Sequence, residues 1–329
     1  MIDPITIIAV SFAVAFGVTF YSVPKVARKL AAAGITGRDI NKKDTPEVPE
    51  MGGITIVMGL VAGVLFISGA FVFMGIRFPT TLVFAGLSTI LIMTLIGIYD
   101  DLFDMAQVTK TILPFAASVP LIAATIGSSR IITIPFIGPV EFGILYPLIL
   151  IPLAITVSSN LTNMLAGFNG LEAGMGIAMF AAASLIAYVR GVPDILMFTL
   201  PMTGALLAFL YFNKFPAKIF IGDVGTLSIG ATLATAVIIG GFQSLGAVLV
   251  VLYVLDFVIK AYNRFPSKKW WGENRDGRLY PVEGKVRGLC QLIMKLAGGI
   301  SEQGLVYALV GLQVLVGIAA VVVFILLKQ

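Results

Sequence analysis

The chain has no histidine in 329 residues and only one cysteine, Cys290. Without imidazole, a common base, nucleophile and metal ligand is missing, which weighs against a zinc site. Any bound metal must then be held by oxygen, which points to magnesium, with manganese as the alternative. A lone cysteine excludes an intrachain disulfide. Charge is scarce as well: Asp, Glu, Lys and Arg together make up 12% of the residues, where a soluble domain carries roughly 25%. A large soluble core is therefore excluded. The isoelectric point is about 9.3, yet no nucleic-acid-binding pattern accompanies it.

What the chain has instead is apolar length. Hydrophobic residues make up 58% of it, and the mean hydropathy is +1.02. A helix needs roughly 20 apolar residues to cross a bilayer. About ten stretches approach that length: 4–23, 53–73, 79–99, 109–128, 144–160, 171–189, 194–212, 225–241, 244–263 and 303–327. The expected fold is an all-α integral membrane protein of about ten transmembrane helices. No linker and no repeat divides it, so residues 1–329 form a single domain. The first stretch does not resemble a cleaved signal peptide, because Lys25, Arg28 and Lys29 follow it instead of preceding it. Arg77, Arg130, Arg190 and Lys328 fall on one side of the predicted spans, and every other Lys and Arg falls on the opposite side. By the positive-inside rule the basic side is cytoplasmic and both termini are outside, as expected of a multi-pass protein of the cell membrane. Residues 131–142 are too short to span and rich in β-formers around Gly138-Pro139, so a small external β-hairpin is expected there.

Most polar residues of interest fall in five predicted cytoplasmic loops, 24–52, 100–108, 160–170, 213–224 and 264–302. The most unusual stretch is Asn160-Leu-Thr-Asn-Met-Leu-Ala-Gly-Phe-Asn-Gly-Leu-Glu-Ala-Gly-Met-Gly176, which carries Asn160, Asn163, Asn169 and a single acid, Glu172. A turn between helices needs only a few such residues. Asparagine offers a donor, an acceptor and an oxygen for a hard cation, and glycine lets backbone amides approach a ligand. A ligand-binding surface and a plain chain reversal both fit this composition. Asp100-Asp101-Leu-Phe-Asp104 closes the third span, where the helix end is already negative and three acids repel one another. Either a metal or Lys110 must offset them. Paired carboxylates of this kind hold magnesium bridged to phosphate, and a solvated acidic cap is the bland alternative. If the helix continues, Asp100 and Asp104 share a face.

Asp223, just before the eighth span, is either an N-cap or a metal ligand at a helix N-terminus, where phosphate also binds. The first loop contains Lys42, Lys43 and Glu50 in a Pro- and Gly-rich run ending at Gly53. It forms a non-helical rim that either grips a polar ligand or anchors the second span. The fifth holds Lys268-Lys269-Trp270-Trp271. Beyond it, apolar residues from Val286 to Ala297 recur at helical spacing, with Lys285, Gln291 and Lys295 off that face. This is the pattern of a helix lying in the membrane interface. Asp256 is the clearest charge inside a span, and Lys260 at i+4 is its natural structural partner.

Carboxylates, amide oxygens and lysines gathered on one face suit a reaction between a nucleoside diphosphate and a membrane component. Four segments then carry a specific likeness: Pro49-Glu-Met-Gly-Gly53, Asp100-Asp-Leu-Phe-Asp104, Asn160 to Gly174, and Phe220-Ile-Gly-Asp223. In order and on one predicted side, they resemble the polyprenyl-phosphate N-acetylhexosamine-1-phosphate transferase family. The likeness covers most of the chain and is nearest to the branch that makes dolichyl-diphosphate N-acetylglucosamine for N-glycosylation. It implies a ten-helix fold with a cytoplasmic active-site groove. The implied reaction moves N-acetylglucosamine-1-phosphate from UDP-N-acetylglucosamine to a dolichyl-type polyprenyl phosphate, with magnesium, releasing UMP. This is the first membrane step of N-glycan-type assembly. By the same resemblance, Asn163 and Asp223 are magnesium ligands, and Asp100 and Asp101 are the essential acids, with Asp104 beside them. Lys110 binds phosphate, Asn169 recognises uridine, and Glu50 lies next to it. Lys43, Asn160, Glu172, Lys268 and Lys269 complete the expected substrate-binding set.

The implied partners are the UDP-sugar, the polyprenyl phosphate and membrane lipids, with a homodimer left open and no nucleic acid. One departure stands out. The family's histidine-containing cluster in the last cytoplasmic loop is replaced by Lys268-Lys269-Trp270-Trp271, which argues against the muramoyl-pentapeptide branch. Another UDP-N-acetylhexosamine donor, a transporter and a catalytically dead scaffold are the remaining readings. Polar residues crowding one face disfavour the transporter, and filled motif positions disfavour the scaffold. Attack is either direct, by an ionised lipid phosphate, or assisted by Asp100 as a base.

Overall fold

Long apolar runs form helices because a backbone in hydrocarbon must satisfy its own hydrogen bonds. The computed structural model describes residues 3–103, 105–127, 131–134, 136–265, 269 and 271–326, so Asp104, Lys268 and Trp270 lie outside the described residues. Among the described residues, nine helices are long and apolar enough to cross a membrane, and one bent pair makes up to ten. The helices are α1 (Pro4–Ala32), α2 (Gly53–Phe73), α3 (Thr80–Phe103), α4 (Gln107–Ala117), α5 (Val119–Thr125), α6 (Ile151–Met164) and α7 (Leu171–Arg190). They continue with α8 (Pro193–Asn213), α9 (Gly222–Ile239), α10 (Gln243–Leu249), α11 (Val251–Tyr262), α12 (Leu289–Leu296) and α13 (Glu302–Val321).

Several expectations are corrected. α1 continues past residue 23 to Ala32, so the opening part of the expected first loop, residues 24–32, is helix. The ninth span is broken at Val250, where α10 and α11 meet at a bend of 58°. The break is supported from another helix: Gln313 on α13 donates from Nε2 to the Leu249 carbonyl at 3.0 Å. Nothing in the sequence of α10 or α11 announces that partner. The Asn160–Gly176 stretch is mostly helical. Asn160 and Asn163 sit on the last turns of α6 and Glu172 on the first turn of α7, leaving 165–170 irregular.

Three antiparallel hairpins occur among the described residues. The expected one is β3 (Ile131–Ile134) paired with β4 (Gly138–Glu141), so Gly138 and Pro139 lie in a strand and the turn falls earlier. β1 (Thr36–Arg38) with β2 (Glu47–Pro49), and β5 (Gly272–Arg275) with β6 (Arg278–Pro281), were not expected. The latter had a signal: Asp276-Gly277 turns the chain with φ of 50° and 81°, the left-handed pair of a tight two-residue hairpin. In α12, Gln291 is fully buried and not off the apolar face. It accepts from the Arg287 amide at 2.8 Å and donates to the Lys269 and Trp271 carbonyls at 2.8 and 2.9 Å. Asp256 and Lys260 do pair, at 2.7 Å. Asp256 also accepts from the Leu289 amide at 2.7 Å, and Lys260 donates to the Met164 carbonyl, so the pair ties α11 to α12 and α6.

α9 is the central helix, packed against α3, α6, α8 and α2. Its small and hydroxyl residues make this possible, because short side chains let backbones approach. Ser228 and Thr232 bond back to the carbonyls of Val224 and Ser228, and Thr94 Oγ1 meets Ser228 Oγ at 3.0 Å. α2 and α9 also meet backbone to backbone, where a Cβ on Gly53 would lie 2.2 Å from the Gly225 Cα. At the other end of the helices, Ile132, Ile134, Val248 and Val316 help line an apolar cavity of about 550 Å³. The polar residues gather at the end where α3 finishes and α9 begins.

Gly53→Ala should therefore lower stability by roughly 1–3 kcal/mol, the usual cost of overpacking a tight contact. Gly311→Ala, where an added Cβ meets nothing within 4 Å, should lose none. Thermal unfolding of both variants in detergent checks this. Equal behaviour would show that the α2–α9 contact yields freely.

Candidate active site

The acids of α3 sit at the negative end of a helix, and two neighbours offset them. Asp100 pairs with Lys110 on α4 at 2.7 Å, and its other oxygen accepts the Met105 amide at 2.9 Å. Asp101 turns toward α9 and accepts the amides of Asp223 at 2.7 Å and Val224 at 3.0 Å. The first amides of a helix have no intrahelical partner and carry partial positive charge, so a carboxylate from another helix satisfies both. Sequence reasoning anticipated Lys110 but not the α9 terminus. Both Asp101 oxygens are occupied by this cap.

Asp223 lies in the first turn of α9 with its side chain 30% exposed, while Asp100 is 2% exposed. Lys110 reaches Asp223 as well, at 3.7 Å. Asn163, on the last turn of α6, accepts from Thr226 Oγ1 at 3.2 Å. Thr162 fixes the same corner by donating to the Thr226 carbonyl at 2.8 Å. Asn163 and Asp223 are thereby brought to one corner, the amide oxygen from α6 and the carboxylate from α9. Among the described residues no three His, Cys, Asp or Glu side chains form a cage. The donor set fits a hard cation that takes two protein oxygens and completes its shell with water and phosphate, as magnesium does.

A second polar cluster lies beside the 165–170 loop. Asn169 is buried; its backbone amide donates to Glu302 Oε1 and its side-chain Nδ2 to Asp39 Oδ2, both at 2.9 Å. Lys42 pairs with Asp39 at 3.0 Å and with Glu302 at the start of α13. Asn41 donates to the Gly167 carbonyl at 3.0 Å, and Glu172 accepts the Gly167 amide at 2.5 Å. Sequence reasoning missed Asp39, Asn41 and Glu302, and placed Lys42 in the rim without its two acidic partners. The available signal was an acid, an amide and a lysine packed into Asp39–Lys42, just ahead of the Pro-rich turn. A backbone ladder closes the wall: Phe220 donates to Pro49, and Gly52 and Gly53 donate to Phe220 and Ile221, each at 2.8 Å.

Residues 83–241 match the family model for Glycosyl transferase family 4, a segment that holds Asp100, Asp101, Lys110, Asn163, Asn169 and Asp223. Over 311 residues, 94% of both chains, the sequence is 38% identical to a Saccharolobus solfataricus protein. That protein is named, provisionally, as a UDP-N-acetylglucosamine–dolichyl-phosphate N-acetylglucosaminephosphotransferase. The chain belongs to glycosyl transferase family 4. A Sulfolobus acidocaldarius protein of the same provisional name is 36% identical, over 96% of this chain and 95% of its own. A Dictyostelium discoideum protein carrying that name outright is 28% identical, over 89% and 82%.

The other predicted residues of this glycosyl transferase family 4 chain are placed as follows. Glu50 packs over Gly37 and lies within electrostatic reach of Asp101. Burial pushes its carboxyl above the usual range. Lys43 is exposed, and it is its neighbour Lys42 that enters the polar cluster. Asn160 donates back to the Thr156 carbonyl at 2.9 Å. Lys269 is paired with Glu283, which Lys269 and Arg287 hold below the usual carboxylate range. Asp104 and Lys268 lie outside the described residues.

Because Asp101 caps α9, Asp101→Ala should cost about 1–2 kcal/mol of stability as well as turnover. Asp101→Asn, which keeps one acceptor, should fall between. Paired measurements of unfolding and kcat check this. A loss of kcat with unchanged stability would remove the capping role.

Proposed function

We propose that the chain transfers N-acetylglucosamine-1-phosphate from UDP-N-acetylglucosamine to a dolichyl-type polyprenyl phosphate and releases UMP. The names of its relatives support both substrates. The observation that carries the chemistry is the corner where Asp100, Lys110, Asn163 and Asp223 meet at the start of α9. An acceptor phosphate oxygen bonds to the sugar-linked phosphorus, and the bond from that phosphorus to the bridging oxygen breaks. The bridging oxygen leaves with UMP.

Both substrates are anions, so the protein's task is mainly alignment and neutralisation. Asn163 and Asp223 would hold magnesium, which supplies charge neutralisation on the diphosphate. Lys110 offers its ammonium to a phosphate. Asn169 reads the uracil, and Glu50 lines the same wall. Lys268 and Lys269 take the sugar end, Lys269 by exchanging Glu283 for the ligand. Direct attack by the ionised lipid phosphate is the reading we take: Asp100 is 2% exposed, and its two oxygens already accept from the Met105 amide and pair with Lys110. Polar groups at helix ends rather than midway along the spans speak against a transporter.

Purified protein given magnesium, a polyprenyl phosphate and UDP-N-acetylglucosamine should release UMP, and EDTA should abolish this. Asp223→Asn should lower kcat by roughly 100-fold or more, the scale for losing a key electrostatic group, with unfolding unchanged because the side chain is partly exposed. Turnover near wild type in that variant would remove Asp223 from the site.

The same proposal places the site in the cytoplasm and both termini outside, supported by the distribution of Lys and Arg. In a Cys290→Ser background, a cysteine at position 138 should be labelled by an impermeant reagent in intact cells and one at 269 only after permeabilisation. The reverse pattern would invert the orientation.

A further inference from the structure

We infer that Asp39 fixes the side-chain amide of Asn169 in the orientation that selects uracil over cytosine, making Asp39 a specificity-determining positioning residue. The inference rests on the reading of Asn169 as the residue that meets the base. Asp39 is buried and paired with Lys42 at 3.0 Å. Held by a lysine, its carboxylate only accepts hydrogen bonds. An amide that faces such a group must turn its nitrogen toward it, and Asn169 Nδ2 does so at 2.9 Å. The amide oxygen is then turned away from Asp39 and is the acceptor left for a ligand.

The backbone is fixed by the same cluster. Glu302 accepts the Asn169 amide at 2.9 Å and shares Lys42 with Asp39. Three distant segments therefore determine how one carboxamide faces: the turn after β1, the α6–α7 loop and the first turn of α13. Uracil presents a ring N–H donor at N3, whereas cytosine presents a lone pair there. A carbonyl oxygen held outward accepts from the first and repels the second. A carboxamide free to flip would serve either base. Recognition by a fixed polar group discriminates strongly because the wrong partner leaves it unpaired.

The test compares UMP and CMP, by inhibition of transfer and by calorimetric binding to the purified full chain. It uses wild type, Asp39→Asn, Lys42→Gln and Asn169→Ala. Wild type should prefer UMP by roughly 100-fold or more. Asp39→Asn places a group that both donates and accepts against the carboxamide, so either flip finds a partner. It should cut the UMP/CMP ratio at least ten-fold. Lys42→Gln should shift the ratio in the same direction and carries the test if Asp39→Asn is not recovered folded. An unchanged ratio in these variants, even with lower stability or kcat, overturns the inference and leaves Asp39 a structural residue. A wild-type ratio in Asn169→Ala overturns the reading of Asn169 itself, and the inference with it.

Discussion

The two hydrogen bonds that the opening amides of α9 donate to Asp101 are the contact on which the site depends. They join the negative end of α3 to the positive end of α9, so each helix neutralises what the other leaves exposed. The same junction sets Asp223 in the first turn of α9 and Asn163 at the facing end of α6. It can form only because α9 is lined with small residues. At Gly53 and Gly225 the backbones meet more closely than any side chain would allow. Packing and chemistry are thus one constraint here: a bulkier α9 would move the carboxylate as well as the helix.

The second cluster follows the same logic with different parts. Lys42 is shared by Asp39 and Glu302 as Lys110 is shared by Asp100 and Asp223. In each case one ammonium serves two carboxylates from different segments, and the pairs are partly or wholly out of water. Removing one member of such a buried set leaves an uncompensated charge, which is why these contacts specify loop positions so tightly. The ladder between Pro49–Gly53 and Phe220–Ile221 links the two clusters by backbone alone.

Much of this was legible in the chain. Apolar run length gave the helices, and the motif positions Asp100, Lys110, Asn163 and Asp223 are brought together at the start of α9. The misses share a cause. The break at Val250, the burial of Gln291 and the clamp on Asn169 are each decided by a partner far away in sequence, and periodicity carries no information about that. Asp101 is the instructive case. Its position at a helix C-terminus signalled that something positive was needed, and a metal or a lysine were the obvious choices. The amides of another helix answered instead, because only the fold sets that helix end opposite it. The Asp276-Gly277 turn differs in kind, since its signal was local and available.

The balance of charge at this end of the protein gives the proposed cation its physical reason. Each lysine-centred cluster has one more carboxylate than ammonium, and Asp101, Glu50 and Glu172 lie nearby. A nucleoside diphosphate entering such a surface meets acids that repel it, and a second anion must then approach to within bonding distance. Lys110 alone cannot offset both, because Asp100 already holds it at 2.7 Å. On the proposed reading the compensating charge comes from the cation. A divalent ion bound to the diphosphate would cancel its two negative charges and remove the repulsion, and the amide oxygen of Asn163 with the part-exposed carboxylate of Asp223 is a donor set that can receive it without displacing Lys110 from Asp100.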